Sequence, residues 1–198
     1  MDVHDADERL VQRFQEGNAG AFEELVARHS TRVYNLCLRI LGDPEEAADA
    51  SQDTFLSALR KLHTFRGDAA FTTWLHRVTV NACYDSLRRK RRRPMLRVVT
   101  DEGDDRPEPT LPSPDHADRV ILSVDVTAAL MQVPEEFRVV LVMADVEDLP
   151  YEEIASVLEI PLGTVKSRVF RGRAALGRAL GSSSGEPSPA SRSSEEEA

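Results

Sequence analysis

The chain has 198 residues, a formal net charge of −9, 41% apolar and 30% charged residues, 2 cysteines and 5 histidines, which supplies one ordinary core or two small ones and excludes a fibre. No stretch approaches the roughly 18–20 uninterrupted apolar residues of a membrane span, and the start MDVHDADER lacks the positive and apolar regions of a secretory signal, so a cytoplasmic protein without membrane insertion is expected. Cys37 and Cys83 lie in apolar helical patterns and the histidines show no ligand spacing, which predicts buried reduced thiols, no metal and no cofactor.

Helix signals dominate from the first residues onward, and strand alternation is nearly absent. A short helix is predicted near Asp7–Gln15. Asn18 then caps a longer one, whose apolar positions Phe22, Leu25, Val26, Val33, Leu36 and Ile40 recur at three- and four-residue steps until Gly42 stops it. Asp43 caps the next helix with Pro44 at its first position, where a missing N–H costs nothing; Ala47, Ala48, Phe55, Leu59 and Leu62 continue the apolar pattern. A third long helix runs from about Thr72 to Arg92 and ends before Pro94. Together these elements predict a compact all-α domain over residues 1–95.

Residues 96–118 read as a disordered linker. From 98 to 118 they hold seven acids and Pro107, Pro109, Pro112 and Pro114, with too few apolar side chains to offset the entropy of ordering. A second small helical domain follows over 119–181, with helices near 119–132 and 134–145, then Tyr151–Leu158 and about Leu162–Leu180. The two domains are expected to move semi-independently. The low-complexity tail, 182–198, is expected to be disordered.

Charge is spread unevenly along this plan. Residues 60–97 hold 11 basic and 2 acidic side chains, and 151–180 hold 5 and 3, whereas every other segment is acidic. At physiological salt the Debye length is about 8 Å, so each basic island presents its own field to a polyanion while the remainder resists loose adhesion.

The later island has the layout of a helix-turn-helix, with the turn at Glu159-Ile160-Pro161. Ile154, Ala155 and Leu158 of its first helix face inward. In its second, Val165, Val169, Gly172 and Leu176 share one face within about 60°. The opposite arc carries Thr164, Ser167, Arg171 and Arg178, flanked by Lys166, Arg168 and Arg173, with Phe170 close by. Such a helix can enter a major groove, its first residues reaching base edges and its arginines neutralising phosphates. An ordinary amphipathic helix with a solvated basic face is the other reading.

The earlier island is HTFRGDAAFTTWLHRVTVNACYDSLRRKRRR. Arg77, Asn81, Tyr84 and Arg88 form a polar stripe with an aromatic in it, apart from Leu75, Val78 and Ala82. Preceding them, Phe65, Arg66, Gly67, Asp68 and Phe71 make a loop of the kind that holds single-stranded nucleic acid, with cations for the backbone and aromatics to stack or pocket an extruded base. Core packing is the commoner role for Trp74, and for Phe65 and Phe71 the two roles weigh alike. The run RRKRRR fits a nucleic-acid track and a solvated helix end that complements the helix dipole equally well.

These stretches resemble the extracytoplasmic-function group of bacterial sigma factors, in the sigma-70 family. The resemblance rests on FEELVARHSTRVYNLCLRILGDPEEAADASQDTFLSAL, on FRGDAAFTTWLHRVTVNACYDSLRRKRRR and on VPEEFRVVLVMADVEDLPYEEIASVLEIPLGTVKSRVFRGRAAL, in that order and separated by a linker. It implies a region 2 helical bundle and a region 4 helix-turn-helix. It implies core RNA polymerase as partner, met by Asp49, Gln52, Asp53 and Phe55. Opening of the minus-ten promoter element and capture of a single strand fall to Phe65, Arg66, Asp68, Arg77, Asn81 and Arg88. Duplex recognition at the minus-thirty-five element falls to Thr164, Lys166, Ser167, Arg168, Arg171 and Arg173, and an anti-sigma factor is expected as inhibitor.

Glu159 departs from the family's usual turn glycine, at a cost on the order of 1 kcal/mol if the backbone there needs a positive φ. Neither a nucleophile–base pair nor a phosphate-cradling loop is found, so no catalytic residue is assigned and no enzyme is expected. A free-standing helix-turn-helix regulator is the alternative, distinguished by tight specific duplex binding without polymerase.

Overall fold

The computed structural model describes residues 3–92 and 126–183, and among them every regular element is helical. The first unit comprises α1 (Val3–Gln15), α2 (Ala19–Leu41), α3 (Pro44–Lys61), a 3-10 turn (Leu62–Thr64) and α4 (Phe71–Arg92). The second comprises α5 (126–132), α6 (Glu135–Asp145), α7 (Tyr151–Leu158) and α8 (Leu162–Ser183). The linker expected over 96–118, the part of the next helix expected over 119–125 and the tail beyond Ser183 lie outside the described residues. Helix α1 begins four residues earlier than its pattern suggests, and α8 runs past Leu180 into the expected tail.

Local chemistry sets the sharpest boundary. Gly42 takes the left-handed conformation at φ 76° and donates its N–H to the Leu38 carbonyl at 2.8 Å, and a Cβ there would also collide with Met131 Sδ of the second unit. Asp43 Oδ1 then accepts the N–H groups of Glu45 (2.9 Å) and Glu46 (3.0 Å), so α3 starts as the Asp-Pro pair predicts. Asn18 precedes α2 in extended backbone, but its side chain makes no capping hydrogen bond.

The core of the first unit lies between α2 and α4, on Leu25, Leu36, Cys37, Ile40, Leu62, Phe71, Val80 and Cys83, all fully or nearly fully buried. The two free cysteines sit 3.7 Å apart, Cys83 donating to Cys37. That hydrogen bond and burial push the Cys83 thiol far above its ordinary range, and it stays protonated. On α3, Ala48 and Leu59 are exposed, contrary to the apolar pattern. On α7 the buried positions are Ile154 and Val157, with Ala155 and Leu158 only half-buried; the helix packs on α4 as well as on α6 and α8.

A buried charge cluster holds α1 on α2. Asp7 accepts from Arg28 Nη1 at 2.6 Å and pairs with His29 Nε2 at 2.8 Å. Burial lowers the His29 pKa against the pull of Asp7, and Arg28 and Arg32 add to the penalty on a second positive charge. The unfolded chain therefore binds more protons than the folded one between the two pKa values, and stability is full above the unfolded value near about 6.5 and lost as pH falls below it. Urea denaturation at about pH 7.5 and about pH 5.5 is expected to show lower stability in acid, and His29→Gln is expected to shrink that difference.

The two units are packed against each other, α2 on α6 and α4 on α7. Their anchor is Glu147, 9% exposed. Its Oε2 accepts from Arg32 Nε at 2.6 Å and lies 3.5 Å from His76 Nε2. Burial alone would raise its pKa, but the bonds to His76 and Arg32 outweigh it and hold the carboxyl below the ordinary range.

Candidate nucleic-acid interface

Three surfaces carry the residues of interest. The first is built by the loop between the 3-10 turn and α4. Gln15, at the end of α1, donates to the carbonyls of Leu62 (3.0 Å) and Phe65 (2.8 Å), and Gly67 turns the chain at φ 75°. Phe65 stands edge-on to Phe71, with centroids 6.4 Å apart, and Trp74 lies 5.4 Å from Phe65 and 5.8 Å from Phe71. Only Phe71 is a core residue; Phe65 and Trp74 are half-buried and form a wall.

That wall lines a cleft of about 250 Å³ that also takes in Arg66, Asp68, Thr73 and Arg77, and whose opposite side is Ser156 and Val157 of α7. Four of the six residues assigned to strand capture, Phe65, Arg66, Asp68 and Arg77, thus meet around one space. Asn81 continues along the same face of α4, exposed, and Arg88 lies farther on, beside Asp85 at 3.4 Å. A cleft with an aromatic wall and cationic rim can hold an unstacked base and its backbone. Arg77 is engaged, however, by Glu159 of the second unit.

The second surface is α8. The turn before it holds Glu159 at φ 54°, so a glutamate occupies the left-handed position that favours glycine, at a cost of about 1 kcal/mol. The N–H of Ile160 closes the turn on the Ala155 carbonyl at 3.1 Å. Helix α8 approaches α6 closely at Gly172, where a Cβ would lie 3.2 Å from the Phe137 carbonyl oxygen. Val165 and Val169 are buried below, as the spacing predicts.

Outward, Lys166, Ser167, Arg171 and Arg173 are exposed, Thr164 and Arg168 half-buried, and Phe170 is 76% exposed. Ser167 Oγ donates to the Thr164 carbonyl at 3.0 Å, and the Arg171 guanidinium sits 6.0 Å from the Phe137 ring. Arg168 lies 3.4 Å from Glu136, and Arg173 makes two bonds to Asp145 at 2.6 and 2.9 Å. These two arginines are oriented by α6; Asp145 holds the Arg173 guanidinium charged even more firmly than usual. Helix α8 itself contains no acid.

The third surface is the outer face of α3. Asp49 and Gln52 are exposed, Asp53 is half-buried beside Arg89 at 3.3 Å, and Phe55 turns inward against the core. Leu56 and Leu59, 41% and 42% exposed, extend this face at helical spacing from Asp49 and Gln52, although periodicity placed Leu59 in the core. The neighbouring basic run is largely neutralised within the fold: besides Arg89, Lys90 pairs with Glu46 at 3.0 Å and Arg91 with Glu135 at 2.6 Å. Gln15 and Glu147 carry no local signal, since each bonds to residues distant in sequence.

Residues 25–93 match the family model described as Sigma-70 region 2, and residues 123–176 match that described as Sigma-70, region 4. The RNA polymerase sigma-H factor of Pseudomonas aeruginosa is 38% identical over 186 residues, which is 91% of this chain and 96% of that one. The ECF RNA polymerase sigma factor SigM of Mycobacterium tuberculosis is 37% identical over 176 residues, 89% and 85% of the two chains. Among solved structures, CnrH in complex with the cytosolic domain of CnrY superposes with a TM-score of 0.66 at 27% identity, over 89% of this chain and 98% of that one. The sigma factor RpoE of Bartonella quintana, in complex with the anti-sigma factor NepR, gives 0.63 over 81% and 96% of the chains; at 22% identity it speaks to the fold alone.

Proposed function

The chain belongs to the extracytoplasmic-function group of the sigma-70 family, and from that premise we propose how its surfaces divide the work of transcription initiation. It is an RNA polymerase sigma factor directing promoter recognition. Residues 1–95 serve as region 2 and 119–181 as region 4, with 96–118 as the tether and 182–198 as a tail. Core RNA polymerase docks on α3 through Asp49, Gln52 and Asp53, with Phe55 shaping the helix from below and Leu56 and Leu59 adding apolar contact. Helix α8 reads the duplex minus-thirty-five element with Thr164, Lys166, Ser167, Arg168, Arg171 and Arg173. Phe65, Arg66, Asp68, Arg77, Asn81 and Arg88 take the opened minus-ten strand.

The observation that carries this reading is the pairing, in one acidic chain, of an acid-free exposed helix with an aromatic and cationic cleft. Each surface alone holds too few cations for tight binding at physiological salt. Docking both units on one large enzyme makes the second contact intramolecular, so two weak readers act at high effective concentration. Strand opening then needs no chemistry from this chain: it follows from binding the open strand better than the duplex, and bond formation stays with polymerase in the cytoplasm. An anti-sigma factor completes the partner set, as membership of the family implies.

The test is reconstitution with core polymerase on promoter fragments. Arg171→Ala is expected to weaken closed-complex binding to duplex by about 5- to 150-fold, the equivalent of one lost base or phosphate contact of roughly 1–3 kcal/mol. Asn81→Ala should leave that binding intact and reduce the permanganate reactivity that reports melted thymines. Initiation unchanged in both variants, or no association with core enzyme, overturns the reading.

A further inference from the structure

Helix α8 keeps part of its charge unanswered. Arg168 and Arg173 are met by Glu136 and Asp145 of α6, and Arg171 leans on the Phe137 ring. Among the described residues no carboxylate lies within ion-pair distance of Lys166 or Arg171, and both side chains are exposed. With Ser167 and Phe170 they make a cationic face that stays open to solvent while the helix packs on α6 and α7.

The same helix leads into the acidic tail. From 184 to 198 the sequence holds four glutamates and one arginine, with Glu195, Glu196 and Glu197 consecutive behind the spacer SGEPSPASRSS. Counted from Ser183, Arg171 lies 12 residues back and Lys166 17, which is about 18 and 26 Å along the helix axis. The three glutamates lie 12 to 14 residues ahead, and a spacer of this composition spans about 20 Å root-mean-square and up to about 45 Å extended. The acid run therefore reaches both cations.

We propose that Glu195, Glu196 and Glu197 fold back onto α8 and engage Lys166 and Arg171 as a mimic of the phosphate backbone, so that the chain masks its own duplex-reading face against bulk DNA. Tethering supplies an effective concentration on the order of 1 mM, which sustains exposed ion pairs too weak to form between separate molecules. The contact is screened by salt, and promoter DNA held in place by polymerase displaces it. A duplex binds only the fraction with the tail away; with about three molecules in four occupied, freeing the face gains about fourfold. The masking rests on the role of α8 given above, whereas the docking of the tail does not, and the test keeps the two apart.

Lys61, Lys90 and Lys166 are the lysines of the chain, and of these Lys166 alone lies on α8. A zero-length carbodiimide applied to the full chain at low salt is expected to join Lys166 to one of Glu195, Glu196 and Glu197 within single molecules, read by peptide mass spectrometry of the monomer band. Lys90 with Glu46, 3.0 Å apart, is the internal positive control. The Lys166 link is expected to vanish in about 1 M salt, where the Debye length is about 3 Å. In fluorescence anisotropy at about 50 mM salt, the full chain with Glu195→Gln, Glu196→Gln and Glu197→Gln should bind labelled duplex about fourfold more tightly than one with Glu8→Gln, Glu23→Gln and Glu45→Gln, an equal charge change on exposed positions of the first unit. No Lys166 link beside an intact control, tail links to Lys61 or Lys90 in equal yield, or equal duplex binding by the two variants overturns the docked tail while leaving the role of α8 standing. Absence of duplex binding in every form, holoenzyme included, overturns the role of α8 and the masking with it.

Discussion

Replacing Leu56 and Leu59 together by glutamate is expected to abolish association with core RNA polymerase while the chain stays folded. Both side chains are about two-fifths exposed on α3, beside Asp49, Gln52 and Asp53, and neither completes the core. Burying the remaining apolar surface of each would contribute on the order of 1 kcal/mol. Two carboxylates forced into a desolvated contact add several kcal/mol of opposing free energy. Together these effects lower affinity by more than about 100-fold. Fluorescence anisotropy with core enzyme measures it, and an unchanged far-ultraviolet circular dichroism spectrum shows that the fold survives. Retained affinity would move the polymerase contact off this face.

A second large effect separates two neighbouring phenylalanines. Phe71 is 2% exposed, 5.5 Å from the His29 ring and 5.8 Å from Trp74. Phe71→Ala is expected to cost about 3–5 kcal/mol through lost transfer energy and an unfilled cavity. That is a large share of the roughly 5–15 kcal/mol typical of a domain, so the melting temperature of the first unit falls by about 15 °C or more. Phe65→Ala, on the half-buried wall of the cleft, should cost far less stability and instead remove a stacking surface worth about 1–3 kcal/mol per base. Calorimetry reads the first effect and permanganate footprinting of the open complex reads the second. Equal melting temperatures for the two variants would contradict this division.

Much of the local architecture is written in short range. The Gly42-Asp43-Pro44 sequence ends one helix and starts the next with the bonds its residue types dictate, and Glu159 takes the left-handed conformation at the position where the family resemblance puts a turn glycine. Long-range pairing is what local pattern cannot convey. Glu147 looks like any loop acid in VEDLP, yet its partner Arg32 is 115 residues away. The run RRKRRR reads as a row of unanswered cations until α3 and α6 bring Glu46, Asp53 and Glu135 beside it. Leu59 has the spacing of a core residue, and periodicity does not tell an inward stripe from one that a partner covers. The aromatic cluster shows the same limit: composition announces Phe65, Phe71 and Trp74 as a group, but only packing decides which of them supports the wall and which lines it.

The placement of Cys37 and Cys83 bears on how this protein meets oxidative chemistry. Thiolate is the reactive species; both sulfurs are sealed and turned toward each other in the core of the first bundle, and burial with the bond to Cys37 holds the Cys83 thiol protonated. Peroxides and alkylating agents in the cell therefore reach them only when the bundle opens as a whole. The pair is deaf to redox signals in the native protein and becomes a clock for its unfolding, each modified molecule recording one global excursion.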